Sequence, residues 1–299
     1  MRARIRLKII CYKKNSYLCI LDGRWRHFPF IYLKNNMNSQ TNPRVAVVTG
    51  AARGIGLAIV EWFLHHNHKV ALLDIDKTAL DSAATKIARP GDALAIHCDV
   101  SDPAQVKKAA AQVMAKFGRV DALVNNAGVA VFKPALETSF DEWRTVMATN
   151  LDGAYLCTQT FGEFMVKAGS GAIVNIASIS GLRASTLRLA YGTSKAALIH
   201  MSKQYAVELG NAGVRVNVIA PGPVETEMAK QVHTPAIRAD YYDAIPQGRY
   251  GTLEEMANAV GFLCSDNASF INGQVIAVDG GFDAAGVGLP TLRRAMAGR

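Results

Sequence analysis

Short apolar runs recur along residues 41 to 299, and between them lie stretches whose apolar residues fall at helical spacing. The first run ends at Thr49. Lys69 to Leu73, Ala93 to Cys98, Val120 to Asn125, Gly171 to Ser178, Val214 to Ala220 and Gln274 to Val278 supply six more. These read as strands that are hydrophobic on both faces. Leu57, Ile59, Val60, Phe63 and Leu64 form an apolar helical face after the first strand. Ser101-Asp102-Pro103 offers an N-cap and a first-turn proline for a helix reaching Phe117. Further helices are expected from Asn150 toward Lys167, from Ala190 to Leu209 and from Leu253 to Cys264. The alternation predicts one α/β domain, Rossmann-like and doubly wound, with a parallel sheet of about seven strands and helices on both faces. There is no internal repeat, and no run approaches the 18 or so apolar residues of a membrane-spanning helix.

The turn after the first strand carries glycines at 50, 54 and 56. At a strand-to-helix turn, glycines permit tight backbone geometry and close approach of a pyrophosphate to the helix N-terminus. The spacing is TGxxxGxG, which differs from the dinucleotide fingerprint GxGxxG. Asp74, at the end of the second strand, stands where an acid that reads a ribose is expected.

Tyr191 and Lys195 are four residues apart, on one face of the helix that begins near Ala190. A free tyrosine titrates near pH ~10, and an adjacent cation favours its phenolate. Such a phenol can exchange protons with an alcohol or a carbonyl.

Taken together, these motifs resemble the classical short-chain dehydrogenase/reductase family over essentially all of residues 41 to 299. In order, they are Thr49 to Gly56, Asp99 after the third strand, Asn125-Asn126-Ala127-Gly128 after the fourth, Asn150, Ser178, the Tyr191 to Lys195 run, and Pro221-Gly222 with Thr226. The resemblance implies that Tyr191 is the general acid/base and that Ser178 hydrogen-bonds the substrate oxygen. Lys195 would hold the nicotinamide ribose and lower the tyrosine pKa, and Asn150 would help order Lys195 through water. Ser180, two residues on and read as lying on the same strand face, is the one competitor of Ser178. Cofactor contacts are expected from Gly50, Arg53, Gly54, Ile55, Gly56, Asp74, Asp99, Val100, Asn126, Ala127, Gly128, Tyr191, Lys195, Pro221, Gly222 and Thr226, with no metal. Asp74 would accept hydrogen bonds from an adenosine ribose and repel a 2′-phosphate, by ~1 to 4 kcal/mol at contact distance. Arg53 pulls the other way, and Asp76 adds negative charge. NAD is therefore favoured, with NADP possible.

The implied reaction interconverts a secondary alcohol and a ketone. An NADP-dependent carbonyl or 3-oxoacyl thioester reductase of the same family is the alternative. An extended-type epimerase would carry TGxxGxxG and a larger C-terminal domain, and a non-catalytic dinucleotide sensor need not keep Asn150, Ser178, Tyr191 and Lys195 together. The substrate loops are expected at Val129 to Pro134, Gly181 to Leu189 and Pro223 to Tyr250. Candidate lid residues there are Leu182, Arg183, Thr186, Leu187, Arg188, Met228, His233, Arg238, Tyr241 and Tyr242. The family commonly forms tetramers, and Val287, Leu289, Pro290 and Leu292 make the tail an expected interface. The expected setting is a cytoplasmic homotetramer acting on a small alcohol or ketone, without nucleic acid or membrane.

Charge divides the chain at about residue 40. Residues 1 to 40 hold nine basic residues against Asp22 alone, a net +8 of the chain's +9, which leaves +1 for the catalytic body. That body has no excess of cations to bind phosphates along a nucleic acid. The extension reads as a basic segment with no site motif, disordered or not normally translated, with Met37 to Pro43 as an ordinary leader. A transit peptide fits its arginine-rich, acid-poor start, whereas Lys13 and Lys14 interrupt the apolar stretch that a secretory signal needs. Five scattered cysteines without CxxC suit a reducing compartment. His65, His66 and His68 read as a solvated helix end and not as a metal site.

Overall fold

Each apolar run alternates its side chains between two covered faces, which is why the runs are almost continuously hydrophobic. The computed structural model describes residues 43–297 apart from Ala88 and Pro90, and three strands within the basic extension. Those three are β1 (Ile9–Cys11), β2 (Ser16–Leu21) and β3 (Arg24–Pro29). They pair antiparallel in the order β1-β2-β3, a unit separate from Arg44–Arg299. Strands were not expected there; in the sequence, Asp22-Gly23 between Leu21 and Arg24 is a dipeptide of the kind that favours a hairpin. The rest of the extension, with Phe30 to Leu33 and Met37, lies outside the described residues.

The unit Arg44–Arg299 is built on β4 (Val45–Thr49), β5 (Lys69–Asp74), β6 (Ala93–His97), β7 (Ala122–Asn125), β8 (Gly171–Ile176), β9 (Val214–Pro221) and β10 (Val275–Val278). All pair in parallel, in the order β10-β9-β8-β7-β4-β5-β6. The expected seven-stranded sheet is therefore present. The chain winds outward from β4 through β5 to β6, then returns to place β7 on the other side of β4. Such a reversal leaves a crevice at the carboxyl ends of β4 and β7, where an open α/β sheet binds its ligand.

One face of the sheet buries Ala46, Val48, Val70, Leu72 and Val174 with α1 (Gly54–His65), α2 (Lys77–Ile87) and α9 (Leu253–Cys264). The other buries Val45, Val47, Ala71, Leu73 and Ile173 with α3 (Pro103–Phe117), α5 (Gly153–Ala168) and α6 (Leu189–Leu209). Asp102 caps α3 as expected, accepting from the N–H groups of Ala104 and Gln105 at 2.8 and 3.3 Å. Ser139 with Glu142 and Thr252 with Glu255 form capping boxes for α4 (Phe140–Met147) and α9.

Three local readings change. The helix expected to carry Asn150 is α4 and α5 joined by a π-helical turn, Ala148–Asp152, with Asn150 in that turn. The fifth predicted strand stops at Ile176, so Ser178 and Ser180 do not share a strand face; Ser178 caps the 3₁₀ turn Ile179–Gly181, which contains Ser180. The irregular segments after β9 and β10 hold α7 (Glu227–Val232), α8 (Pro235–Ala244) and α10 (Pro290–Ala297). Among the described residues no helix is long and apolar enough to cross a membrane.

The glycine turn separates two structural demands. A Cβ on Gly56 would lie 2.0 Å from the Gly50 carbonyl oxygen, whereas one on Gly54 would meet nothing within 4 Å but would sit at φ 55°. Gly54→Ala should thus cost about 1–2 kcal/mol for its backbone conformation, and Gly56→Ala ~3 kcal/mol or more because backbone must move. Urea unfolding of both variants checks this; equal losses would contradict it.

Candidate active site

Hydrogen bonds across the crevice hold the ends of β4 and β7 together. The Thr49 hydroxyl accepts from the N–H groups of Asn126 and Ala127 at 3.0 and 3.1 Å. In return, the Asn126 side chain donates to the carbonyls of Thr49 and Gly50 at 3.0 and 2.9 Å. Gly50 has φ 60°, and a Cβ there would come within 2.9 Å of Ala127 Cα. The loop thus has space for backbone alone.

Buried Asp74 accepts from the N–H groups of Ala52 and Asp76, both at 2.9 Å, which ties the glycine turn to the end of β5. Arg53 pairs with Asp76 at 2.5 Å. The Ala79 N–H, and then Arg53, hold the Asp76 carboxyl below its ordinary value. Asp99 accepts from the Ser101 N–H and hydroxyl at 2.9 and 2.7 Å. Val100 packs where a side chain on Gly153 would collide with it at 2.6 Å, and Ile55 packs on the core face under α1. Pro221 ends β9, Gly222 lies against Asp279, and Thr226 caps α7 through the Ala229 N–H at 3.1 Å. This cradle, closed to any Cβ at Gly50 and Gly56 and bordered by a buried acid, fits a dinucleotide.

Asn150, Ser178, Tyr191 and Lys195 converge at the carboxyl edge of the sheet. Asn150 is buried; its oxygen accepts from the Val129 N–H at 2.8 Å, and its amide donates to the Val129 carbonyl and the Ser194 hydroxyl, both at 3.0 Å. The Ser194 hydroxyl in turn donates to the Tyr191 carbonyl at 2.7 Å. The Lys195 ammonium donates to the Ile176 carbonyl at 2.7 Å and lies 5.7 Å from the Tyr191 ring centre. A Cβ on Gly128 would fall 3.3 Å from Asn150 Oδ1 and 3.4 Å from Lys195 Nζ, so the motif after β7 abuts the same centre.

Burial pushes the Lys195 ammonium down to about 8. Although part of Tyr191 reaches the surface, burial raises its phenol above the ordinary value, against the hydrogen-bonding Ser178 hydroxyl and the Arg188 charge. The groups that pull the phenol down are thus Ser178 and Arg188, where the sequence pointed to Lys195. Ser180 turns away to Ser185, 3.0 Å distant.

Two polar features escaped the sequence reading. Ser194 stood inside the Tyr191 to Lys195 run as an unassigned residue. Asn125 donates to Asn175 at 2.7 Å and to Thr158 at 3.1 Å, and Asn175 donates to Ser202 at 2.7 Å, a buried polar chain across β7 and β8. Asparagines inside strands that are otherwise apolar were its signal.

Most lid candidates are engaged in local contacts. Arg238 pairs with Glu225 through two contacts, at 2.8 and 3.1 Å, and covers the Tyr250 ring. Arg183 lies 3.9 Å over Phe282 and donates to its carbonyl at 2.9 Å. His233 meets the Tyr250 hydroxyl at 3.0 Å, and Tyr241 packs edge-on to Tyr250 and Phe282. The Met228 side chain lies outside the described residues. His66 stacks on Trp62 at 3.8 Å. A hollow of 540 Å³ at the opposite edge of the sheet contains Arg44 and Asp266, which pair with each other, and none of the motif residues.

The family described as Enoyl-(Acyl carrier protein) reductase matches residues 50–283. D-threitol dehydrogenase of Mycolicibacterium smegmatis is 40% identical over 240 residues, 80% of this chain and 92% of that protein. This chain belongs to the short-chain dehydrogenase/reductase family. A 3-oxoacyl-(acyl-carrier-protein) reductase of Chlamydia muridarum is 39% identical over 247 residues, 82% of this chain and 99% of that one. Among solved structures, gluconate 5-dehydrogenase from Burkholderia cenocepacia in complex with NADP and tartrate aligns with a TM-score of 0.77 at 32% identity, covering 81% of this chain and 96% of that one. NAD+-bound xylitol dehydrogenase aligns with a TM-score of 0.77 at 31% identity, covering 81% and 100%. As a member of this family, the chain is an oxidoreductase that acts on CH–OH groups with a nicotinamide dinucleotide.

The depressed lysine makes a stability prediction. Between pH about 8 and the ordinary lysine value of 10.5, the unfolded chain holds a proton that the folded chain has released, so stability rises with pH in that window. Below it the full burial penalty applies, roughly 3 kcal/mol. Without added nucleotide, Lys195→Met should therefore be more stable than the native chain at pH 7, and the gain should shrink by pH 10. Urea unfolding at the two pH values checks both signs.

Proposed function

We propose that this enzyme oxidises, reversibly, a secondary alcohol on a small polyhydroxylated carbon chain to the ketone, with NAD preferred over NADP. The observation that carries the reading is the convergence of Ser178, Tyr191, Lys195 and Asn150 beside the glycine cradle. A bound nicotinamide supplies the hydride acceptor. Ser178 donates to the substrate oxygen and holds it beside the phenol. Tyr191, once ionised, removes the hydroxyl proton, and in the reverse direction it returns one to the carbonyl. Ser178 and Arg188 favour that phenolate, and Lys195, kept pointing into the site by the Ile176 carbonyl, would hold the nicotinamide ribose. Asn150 fixes the turn after Gly128 and, through Ser194, the backbone of Tyr191.

Asp74 supports the cofactor preference, because it would accept from a ribose diol and repel a 2′-phosphate. Arg53 counts for less as a phosphate ligand, since Asp76 already neutralises it. The threitol and xylitol dehydrogenases support the polyol class. The relative acting on 3-oxoacyl groups supports the second reading, a thioester reductase. We assign the catalytic body to residues 41 to 299 in a cytoplasmic homotetramer. The exposed Val287, Leu289, Leu292 and Met296 of the tail support an interface there.

Tyr191→Phe should bind nucleotide normally and lose roughly 10²–10⁴-fold in turnover; near-native turnover would overturn the assignment. For the native enzyme, alcohol oxidation should rise with pH as the phenol ionises. In fluorescence titration NADH should bind more tightly than NADPH, and Asp74→Ala should narrow the gap by ~1 kcal/mol or more. A tenfold native preference for NADPH would mean that Arg53 outweighs Asp74.

A further inference from the structure

Three of the candidate lid residues are arginines, and two of them have partners. Arg238 is held by Glu225, and Arg183 by the Phe282 ring and carbonyl, with Asp283 at 3.9 Å. Arg188 differs. Among the described residues no carboxylate lies within ion-pair distance of it. Its nearest polar contact is the Ser180 hydroxyl at 3.5 Å, and its guanidinium sits 5.2 Å over the Phe132 ring. It immediately precedes α6, three residues before Tyr191.

The position is held by the backbone as well. Leu187, the preceding residue, has φ 62°, a left-handed conformation that a bulky side chain adopts only when its surroundings impose it. The Leu187 carbonyl accepts from the Lys133 N–H at 3.2 Å, which pins the loop to the segment after β7. Phe132, on that same segment, supplies the ring beneath the guanidinium. Two of the expected substrate loops thus cooperate to hold one unpaired cation beside the catalytic phenol.

We infer that Arg188 is a specificity residue that pairs with a carboxylate on the substrate, so that the preferred substrate is a hydroxy acid of the sugar-acid type and not a neutral polyol. A guanidinium offers a planar fork of donors matched to a carboxylate, and a flat ring beneath it leaves its edge free for that fork. The field of Arg188 also reaches its neighbours: it opposes the burial that raises the Tyr191 phenol and adds to the burial that lowers His233. A substrate carboxylate would supply that counter-charge while its secondary hydroxyl reaches Ser178 and Tyr191.

The inference rests on the alcohol-oxidising site proposed above, and the test separates the two. Gluconate and threonate would be compared with glucitol and threitol as matched acids and neutral polyols, using NAD and NADP, in the native enzyme and in Arg188→Leu and Arg188→Lys. The native enzyme should favour the acids at least tenfold in kcat/KM, mostly through KM. Arg188→Leu should collapse that ratio to near one, with Arg188→Lys intermediate. Succinate, which carries no hydroxyl to oxidise, should inhibit the native enzyme competitively against the acid and should inhibit Arg188→Leu at least tenfold more weakly. A native preference for the neutral polyols or for a 3-oxoacyl thioester would overturn the inference while leaving the Tyr191 site standing. So would an equal loss on acids and polyols in Arg188→Leu, which would place Arg188 on Tyr191 and not on substrate. If neither class were oxidised with either nucleotide, the alcohol-oxidising reading would fail, and the inference with it.

Discussion

An ammonium withdrawn from water must either find fixed partners or give up its proton, and Lys195 is held between these two limits. Its direct protein partner is a single backbone carbonyl at the end of β8, and burial alone moves it down to about 8. Much of the surrounding architecture makes this tolerable. A Cβ on Gly181 would collide with the Lys195 carbonyl carbon at 2.7 Å, and one on Gly128 would lie 3.3 Å from Asn150 Oδ1 and 3.4 Å from Lys195 Nζ. The π turn turns Asn150 inward, where it satisfies Val129 and Ser194 and so fixes the wall of the lysine pocket. A regular helix through Ala148–Asp152 would rotate Asn150 away from that position. On the proposed reading the lysine is a functional charge kept at a cost in stability, a pattern common at catalytic sites.

The nucleotide side depends on a different arrangement, in which backbone replaces side chains. Thr49, Gly50 and Asn126 join two strand ends so closely that no Cβ fits at Gly50 or Gly56. The Asp74 carboxylate braces this turn through Ala52 and still has lone pairs to offer a ribose. The proposed preference for NAD rests on what Asp74 and Arg53 already hold. Asp74 holds two backbone N–H groups; Arg53 shares its charge with Asp76. At the surface such a pair adds little stability, but it removes most of the local positive field that a 2′-phosphate would need.

The strand and helix pattern was legible because a parallel sheet covered on both faces needs continuous apolar runs, and seven of them stood out. The glycine turn and the Tyr191 to Lys195 spacing were legible because their chemistry fixes residue type and interval. What escaped notice depended on three-dimensional proximity. The π turn adds one residue to a helical register without altering the apolar pattern, so Asn150 looked like part of a plain helix. Ser178 was read as a strand residue because Ile176, Ala177 and Ile179 continue the apolar run; the chain turns there because the Ser178 hydroxyl accepts from the Ser180 N–H at 3.1 Å. Ser194 and the chain from Asn125 to Ser202 bond to residues distant in sequence, for which a single sequence carries no signal.

The substrate side was legible least, for a reason that follows from the fold itself. The sheet fixes where Tyr191 and the glycine turn meet, and any member of the family needs that much. Selectivity comes from loops that leave the carboxyl edge, whose conformations depend on contacts with one another. Here those contacts neutralise Arg183 and Arg238 and leave Arg188, carried by a strained Leu187 and set on Phe132, as the charge facing the site. From sequence alone the three arginines among the lid candidates are equivalent. Their pairing separates them, because a cation that has its counter-ion within the protein contributes to the loop, whereas one that lacks it attracts whatever anion the substrate brings.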